Sequence, residues 1–264
     1  MTSKNCLNCE KELTDEYCSG CGQKADTHRI SFKNFIFHDV LHGTFHFERG
    51  MLFTAKQALT RPGQAALDYI SGKRKRYYNV FLLVLVTFGL IVFLRHYFEG
   101  LYVSLGGKPD VYNDDSASAK INEVIAQKSK LIIFLFVPLS ALNSFILFRR
   151  KKLNLSEHFI IAGMILLGML LLSVFGNTVF YLTLIVKSDF FNSMISIVTP
   201  ALIFLYMIYG YFNAFGSDYS RLGITYRIAL FFVFCCLEVY LLLVLVIGYY
   251  TDWKFGTVTL RPFG

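Results

Sequence analysis

The sequence predicts an all-α integral membrane protein: five transmembrane helices, preceded by interfacial amphipathic helices and a small N-terminal zinc ribbon. Three observations carry this. The 264 residues are 55% hydrophobic and only 17% charged, with a mean hydropathy of +0.49, which sets the chain apart from ordinary soluble domains. Five apolar stretches reach the length of about 20 helical residues that crosses a hydrocarbon core. Four cysteines stand in two CxxC pairs within CLNCEKELTDEYCSGCGQK, residues 6–24.

The N-terminal element comes first. Cys6, Cys9, Cys18 and Cys21 have the spacing of a closed all-thiolate site, because two intervening residues let a tight turn aim both sulfurs at one ion. A redox dithiol would need a βαβ setting that some twenty residues cannot supply. The expected cofactor is therefore a structural Zn2+, with no open position for a substrate. Gly20 and Gly22 supply permissive backbone around Cys21. Residues 1–30 are polar and cysteine-rich, unlike the basic start and apolar run of a secretory signal. Cys235 and Cys236 lie in an apolar run and project about 100° apart on a helix, so they stay out of the site.

Residues 28–78 form the second element, predicted as two or three short helices at the membrane interface. Ile36, Phe37, Val40, Leu41 and Phe47 share one side of a helical wheel. The opposite side carries His38, His42 and His46, spaced i, i+4, i+8, a candidate second metal or proton site. Thr60 is the expected cap of the next helix, Pro62 suits its first turn, and Gly72 suits its stop.

The spans follow, at about Val80 to Phe98, Leu131 to Phe148, Phe159 to Val186, Phe190 to Phe212 and Ile228 to Tyr250, within a domain of residues 79–250. With the N-terminus inside, 18 Lys and Arg lie on the cytoplasmic side against 8 outside. The runs Lys73, Arg74, Lys75, Arg76 and Arg149, Arg150, Lys151, Lys152 flank the first two spans. The positive-inside rule then predicts a multi-pass membrane protein with its N-terminus cytoplasmic and its C-terminus outside. The C-terminal tail, 251–264, and the loop 99–130 fall outside, the loop reading as turns and irregular chain with a candidate short helix at Ala119 to Lys130. The same basic runs are candidate lipid-headgroup contacts. Tyr77 and Tyr78 read as interface anchors, and Pro138 and Pro200 as kinks in the second and fourth spans.

Within the spans Glu238 is the exception. An ionised carboxylate is costly there and seeks a polar partner, and Asn143 and Asn177 are the candidate neighbours. No GxSxG, P-loop, HExxH or GxGxxG is present, so the expectation is a non-enzyme. Interleaved basic and aromatic residues on a soluble face, the mark of nucleic-acid binding, are absent as well.

The CxxC…CxxCGQK start resembles that of a family of bacterial multi-pass membrane proteins of unknown function, common in the Bacteroidetes. The similarity continues through Gly50, Thr54, Arg61-Pro62-Gly63, Tyr69-Ile70, Gly72-Lys73-Arg74 and Tyr77. Glu10 departs from it, standing where such proteins often have glycine. The resemblance implies a topology and no activity. The expected role is a scaffold or regulatory subunit, with the ribbon as a cytoplasmic docking knob for a protein partner and with room for a homo-oligomer. The alternative is a small-molecule, ion or lipid transporter using Glu238.

Overall fold

The computed structural model describes residues 5–25, 27, 49–104, 135–186, 189–250 and 253. Seven α-helices follow the N-terminal module among them: α1 (Arg49–Thr60), α2 (Pro62–Ile70), α3 (Val80–Ser104), α4 (Leu135–Leu147), α5 (Leu155–Val186), α6 (Asp189–Phe215) and α7 (Arg221–Tyr250). Helices α3, α5, α6 and α7 are long and apolar enough to cross a membrane. The expected second span is represented by α4, a shorter apolar helix, and residues 131–134 lie outside the described residues. The 99–130 region was expected to be a loop, but α3 runs on through Ser104 before the described residues pause. Pro200 lies inside α6.

Local chemistry explains where the helices begin. Asn79 caps α3, its Oδ1 accepting from the N–H groups of Phe81 and Leu82 at 3.0 and 3.2 Å. Asn154 and Glu157 form a reciprocal capping box at α5. The Glu157 N–H donates to Asn154 Oδ1 at 2.9 Å, and the Asn154 N–H donates to Glu157 Oε2 at 2.7 Å. Ser220 caps α7 through the Gly223 N–H at 3.2 Å. Each such cap stabilises its helix by about 1 kcal/mol.

At α2 one expectation holds and another needs correction. Pro62 does occupy the first turn, but Thr60 closes α1, its hydroxyl donating to Lys56 O at 2.8 Å, and does not cap α2. The helix ends in a Schellman arrangement. The N–H groups of Gly72 and Lys73 reach back to the carbonyls of Tyr69 and Asp68 at 3.2 and 3.1 Å. Gly72 at φ +105° takes the left-handed turn that this requires.

Helix α5, apolar around its whole circumference, is the centre of the bundle: 61% of its apolar window is buried, against 28% for α3, 17% for α6 and 6% for α7. The short helices α1 and α2 do not stand apart, for both pack on α5, and α2 also packs on α6. Ala58, Ala65 and Ala66 are fully buried there. Gly63 comes so close to the Ala214 backbone that no Cβ would fit. The Gln64 N–H and side-chain amide then donate to Asn213 Oδ1 and O at 2.9 and 2.8 Å. Tyr77 and Tyr78 are buried in this joint and are not interface anchors. Tyr77 lies edge-on to Phe53 and Tyr69, and the Tyr78 N–H donates to Thr54 Oγ1 at 2.8 Å.

Three turns share the α1–α2 end of the bundle: residues 71–79 before α3, 148–154 between α4 and α5, and 216–220 between α6 and α7. Arg150 donates to Asp218 O at 2.8 Å, Lys151 pairs with Asp218 at 2.9 Å, and Arg227 Nε donates to Leu147 O at 3.1 Å. The guanidiniums of Arg150 and Arg227 both lie over the Tyr219 ring, at 4.8 and 4.3 Å, contacts of about 1 kcal/mol each. Both predicted basic runs thus sit at one end of the molecule.

Candidate metal centre

The N-terminal module is built from two copies of one turn. In the first, the Cys6 N–H donates to Lys11 O and the Glu10 N–H to Cys6 O, both at 2.8 Å; in the second, Cys18 pairs with Gln23 and Gly22 with Cys18 in the same way at 2.8 Å. Each turn is closed by a single antiparallel bridge, Asn5 with Glu12 and Tyr17 with Lys24. Each also aims an amide at its leading sulfur: the Asn8 N–H at Cys6 Sγ and the Gly20 N–H at Cys18 Sγ, both at 3.4 Å. The fifth residue of both turns is left-handed, Glu10 at φ +64° and Gly22 at φ +71°. Glu10 therefore fills a position whose geometry favours glycine.

The two turns face each other and bring four sulfurs together. Cys6 Sγ lies 3.6 Å from Cys21 Sγ, and Cys9 Sγ lies 3.5 Å from Cys18 Sγ; all four fall within 4.8 Å of one another. A disulfide would need about 2.05 Å, and all four thiols are free. Four sulfurs bound tetrahedrally at about 2.3 Å from one ion would stand about 3.8 Å apart, so this donor set fits a metal.

Protons cannot settle comfortably among four such thiols. Backbone N–H groups of Cys21 and Gly20 draw Cys18 down to about 6. At Cys9 the Lys11 N–H pulls down, but the Cys18 sulfur and burial push up, leaving it at about 12. One sulfur ionises at its neighbour's expense, a conflict that a bound cation removes.

The module is keyed into the membrane domain by both turns. Gln23, in the second turn, is buried. Its Nε2 donates to Gly72 O at 2.8 Å, and its Oε1 accepts from the Lys75 N–H at 3.2 Å. From the other side Arg76 donates to Asn8 O and Asn8 Oδ1, in the first turn, at 2.9 and 3.3 Å. Leu7 covers Gly72 so closely that a Cβ there would stand 2.7 Å from Leu7 Cδ1. The segment held in this way leads directly into α3. Sequence reasoning missed this clamp, although Gln23 and Gly72 both stand within the motifs that it singled out.

Asp68 organises the same segment. It accepts from Arg61 at 3.2 Å, Lys73 at 3.1 Å and the Tyr77 hydroxyl at 3.3 Å. Burial and the Asp68 charge hold the Tyr77 phenol up at about 12. The predicted lipid-headgroup cations are therefore largely engaged in the protein. Lys73 is on Asp68, Arg74 over the Tyr69 ring at 5.6 Å, Arg76 on Asn8, Arg149 on Ile146 O at 3.2 Å, and Arg150 and Lys151 on Asp218. The Lys75 backbone meets Gln23, and Lys152 lines an open cleft of about 480 Å³ with Leu7, Gly72 and Glu157.

Within the bundle Asn143 Nδ2 donates to Glu238 Oε2 at 3.0 Å. The predicted pairing of Glu238 with Asn143 is thus realised, whereas Asn177 turns back onto Ser173 O of its own helix at 2.8 Å. His38, His42 and His46 lie outside the described residues. Cys235, set aside on spacing, lies 3.7 Å from Asn143 Nδ2.

Residues 48–91 match a family model described as "Protein of unknown function (DUF3667)". The matched segment spans α1, α2 and the first part of α3. It includes the Gly72–Arg76 loop that the cysteine module grips, and the module itself lies outside it. No curated protein and no solved structure matches the chain.

Proposed function

We propose that this chain is a non-enzymatic scaffold or regulatory subunit of the bacterial inner membrane, whose Cys6, Cys9, Cys18 and Cys21 hold a structural Zn2+. The observation that carries the reading is the double clamp. Each cysteine turn grips the loop that enters α3, through Gln23 and Asn8, so whatever orders the turns also orders the mouth of the bundle. The ion replaces the hydrophobic core that so short a module lacks.

The orientation we favour places this end in the cytoplasm, because the basic turns gather there and positive charge is retained inside. Five crossings, counting α4, put the C-terminus outside. The module's outer face carries Tyr17, 58% exposed, and it is there that we place a cytoplasmic protein partner; the lipid bilayer surrounds the spans. A comparison of pull-downs with the full chain and with one lacking residues 1–27 tests this. A partner retained equally by both rejects the docking role. Elemental mass spectrometry on the purified chain tests the metal separately.

The Asn143–Glu238 contact favours a second reading, a transporter of a small polar solute or ion. If Glu238→Gln leaves uptake and ligand response unchanged in reconstituted vesicles, that reading fails.

A further inference from the structure

An open cleft of about 480 Å³ lies where the cysteine module, the end of α2 and the turn from α4 into α5 come together. Its walls combine three kinds of chemistry. Leu7, Ile70 and Leu153 are apolar, Lys151 and Lys152 bring two ammonium groups, and Glu157, Thr27 and Ser71 bring oxygen. Both hydroxyls already donate to carbonyls, Thr27 to Lys24 O at 2.7 Å and Ser71 to Asp68 O at 2.8 Å. What they offer a ligand is therefore acceptor oxygen, as the Glu157 carboxylate does.

Lys152 is the residue that the fold treats exceptionally. It is exposed and stands at φ +52°, a left-handed conformation that costs a lysine about 1 kcal/mol and that glycine takes freely. Backbone strain of this kind persists at ligand sites, where the side chain concerned is put to use. Lys151 beside it is shared with Asp218 at 2.9 Å, and Glu157 also takes the Asn154 N–H in the α5 cap. The cleft thus carries charge of both signs. A simple anion would meet Glu157 and a simple cation would meet the lysines, whereas a ligand with both a phosphate and an ammonium group satisfies the two together.

Position supplies the source of such a ligand. The apolar span of α5 begins at Leu155, and the cleft residues of the α4–α5 turn run from Lys151 to Glu157, on both sides of that point. This is the depth at which the headgroup layer of a bilayer meets its hydrocarbon. Leu7, Ile70 and Leu153 then offer apolar surface to the glycerol end of a lipid.

We propose that the cleft binds the headgroup of an aminophospholipid, with the phosphate on Lys151 and Lys152 and the ammonium on Glu157 and the Thr27 and Ser71 oxygens. A lipid held there touches both sides of the clamp, the module through Leu7 and Thr27 and the bundle through Lys152. The inference rests on a bilayer surrounding the spans, and on neither the docking nor the transport reading.

Native mass spectrometry of the full chain in detergent tests it, by titration with phosphatidylethanolamine, phosphatidylcholine and phosphatidylglycerol of identical acyl chains. Phosphatidylethanolamine is expected to bind at the lowest concentration, because the quaternary ammonium of choline has no N–H to donate and glycerol carries no charge. Lys152→Gly keeps the left-handed turn and removes the ammonium group. It is expected to weaken phosphatidylethanolamine binding about tenfold, the size of one lost hydrogen bond to a charged group, without lowering the melting temperature or the metal content. Lys152→Asn, which also tolerates the left-handed conformation, makes the same test where glycine loosens the turn. Equal uptake of the three lipids, or phosphatidylethanolamine binding unaltered in both variants, overturns the proposal. So does soluble phosphoethanolamine that competes as well as the lipid, since the ligand would then come from solution and not from the bilayer.

Discussion

The cysteine module and the helical bundle meet at one loop but are held by different physics. Among the described residues the module has almost no apolar interior: Leu7 and Tyr17 are exposed, two isolated bridges are its strand pairing, and its four cysteine sulfurs lie within 4.8 Å of one another. In the bundle the core runs from Ala58 through Ile160, Ile161 and Leu167 to Phe231, all buried within 1% exposure. Its order depends on shape. A module of the first kind loses structure all at once when one ligand goes, whereas a bundle of the second kind degrades contact by contact.

The sharpest way to break that contrast is to remove the ligands. Changing Cys6, Cys9, Cys18 and Cys21 to serine is expected to take metal content from about one ion per chain to none, the stoichiometry of a single closed site, as read by elemental mass spectrometry. Amide hydrogen exchange at residues 72–76 should rise in the same variant while the α5 amides stay protected. If 72–76 keep their protection, the clamp does not depend on the metal.

Next in size is a steric probe of the bundle. Gly63→Leu forces a side chain into the Ala214 backbone and is expected to destabilise by about 3 kcal/mol, the upper range for overpacking, seen as a lower melting temperature in detergent. Gly89→Ala is its control. A Cβ at Gly89 meets nothing within 4 Å, so alanine there should change stability by no more than about 1 kcal/mol. Equal effects at both sites would show that shape does not order the bundle.

A smaller effect belongs to the joint between the regions. Tyr77 is held up at about 12 against an ordinary value near 10, so the folded state keeps its proton longer than the unfolded state does. The stabilisation is complete below pH 10 and is lost as pH climbs through 12. Tyr77→Phe should flatten the alkaline limb of the melting-temperature profile relative to wild type. A parallel limb in the two proteins would contradict the Asp68–Tyr77 contact.

The smallest change acts inside the module. Glu10→Gly relieves a left-handed residue and is expected to stabilise the loaded module by about 1 kcal/mol. That raises metal affinity about fivefold, measured by competition with a chromophoric chelator. Unchanged affinity would mean that the side chain compensates for its backbone.

The two regions also differ in how far the sequence reveals them. Ligand spacing is local: Cys6 to Cys21 lie within sixteen residues, and two-residue gaps dictate the turn, so the donor set is legible in the order of residues alone. Apolar length is local too, and the positions of α3, α5, α6 and α7 follow from it. Asn154 and Glu157, three residues apart, carry the α5 capping box as a readable signal.

What the tertiary structure decided is pairing across the chain. Gln23 finds Gly72 some fifty residues away, and Tyr77 and Tyr78 leave the interface because α1 and α2 fold over them. Asn143, not Asn177, meets Glu238, since that choice depends on how α4 and α5 rotate against α7, and helices apolar on all sides carry no signal of rotation. The orphaned hydroxyls of Ser140 and Tyr211 belong to the same class. A serine and a tyrosine in apolar runs are ordinary when taken singly, and only the packing of four helices makes them face one another in a place without solvent.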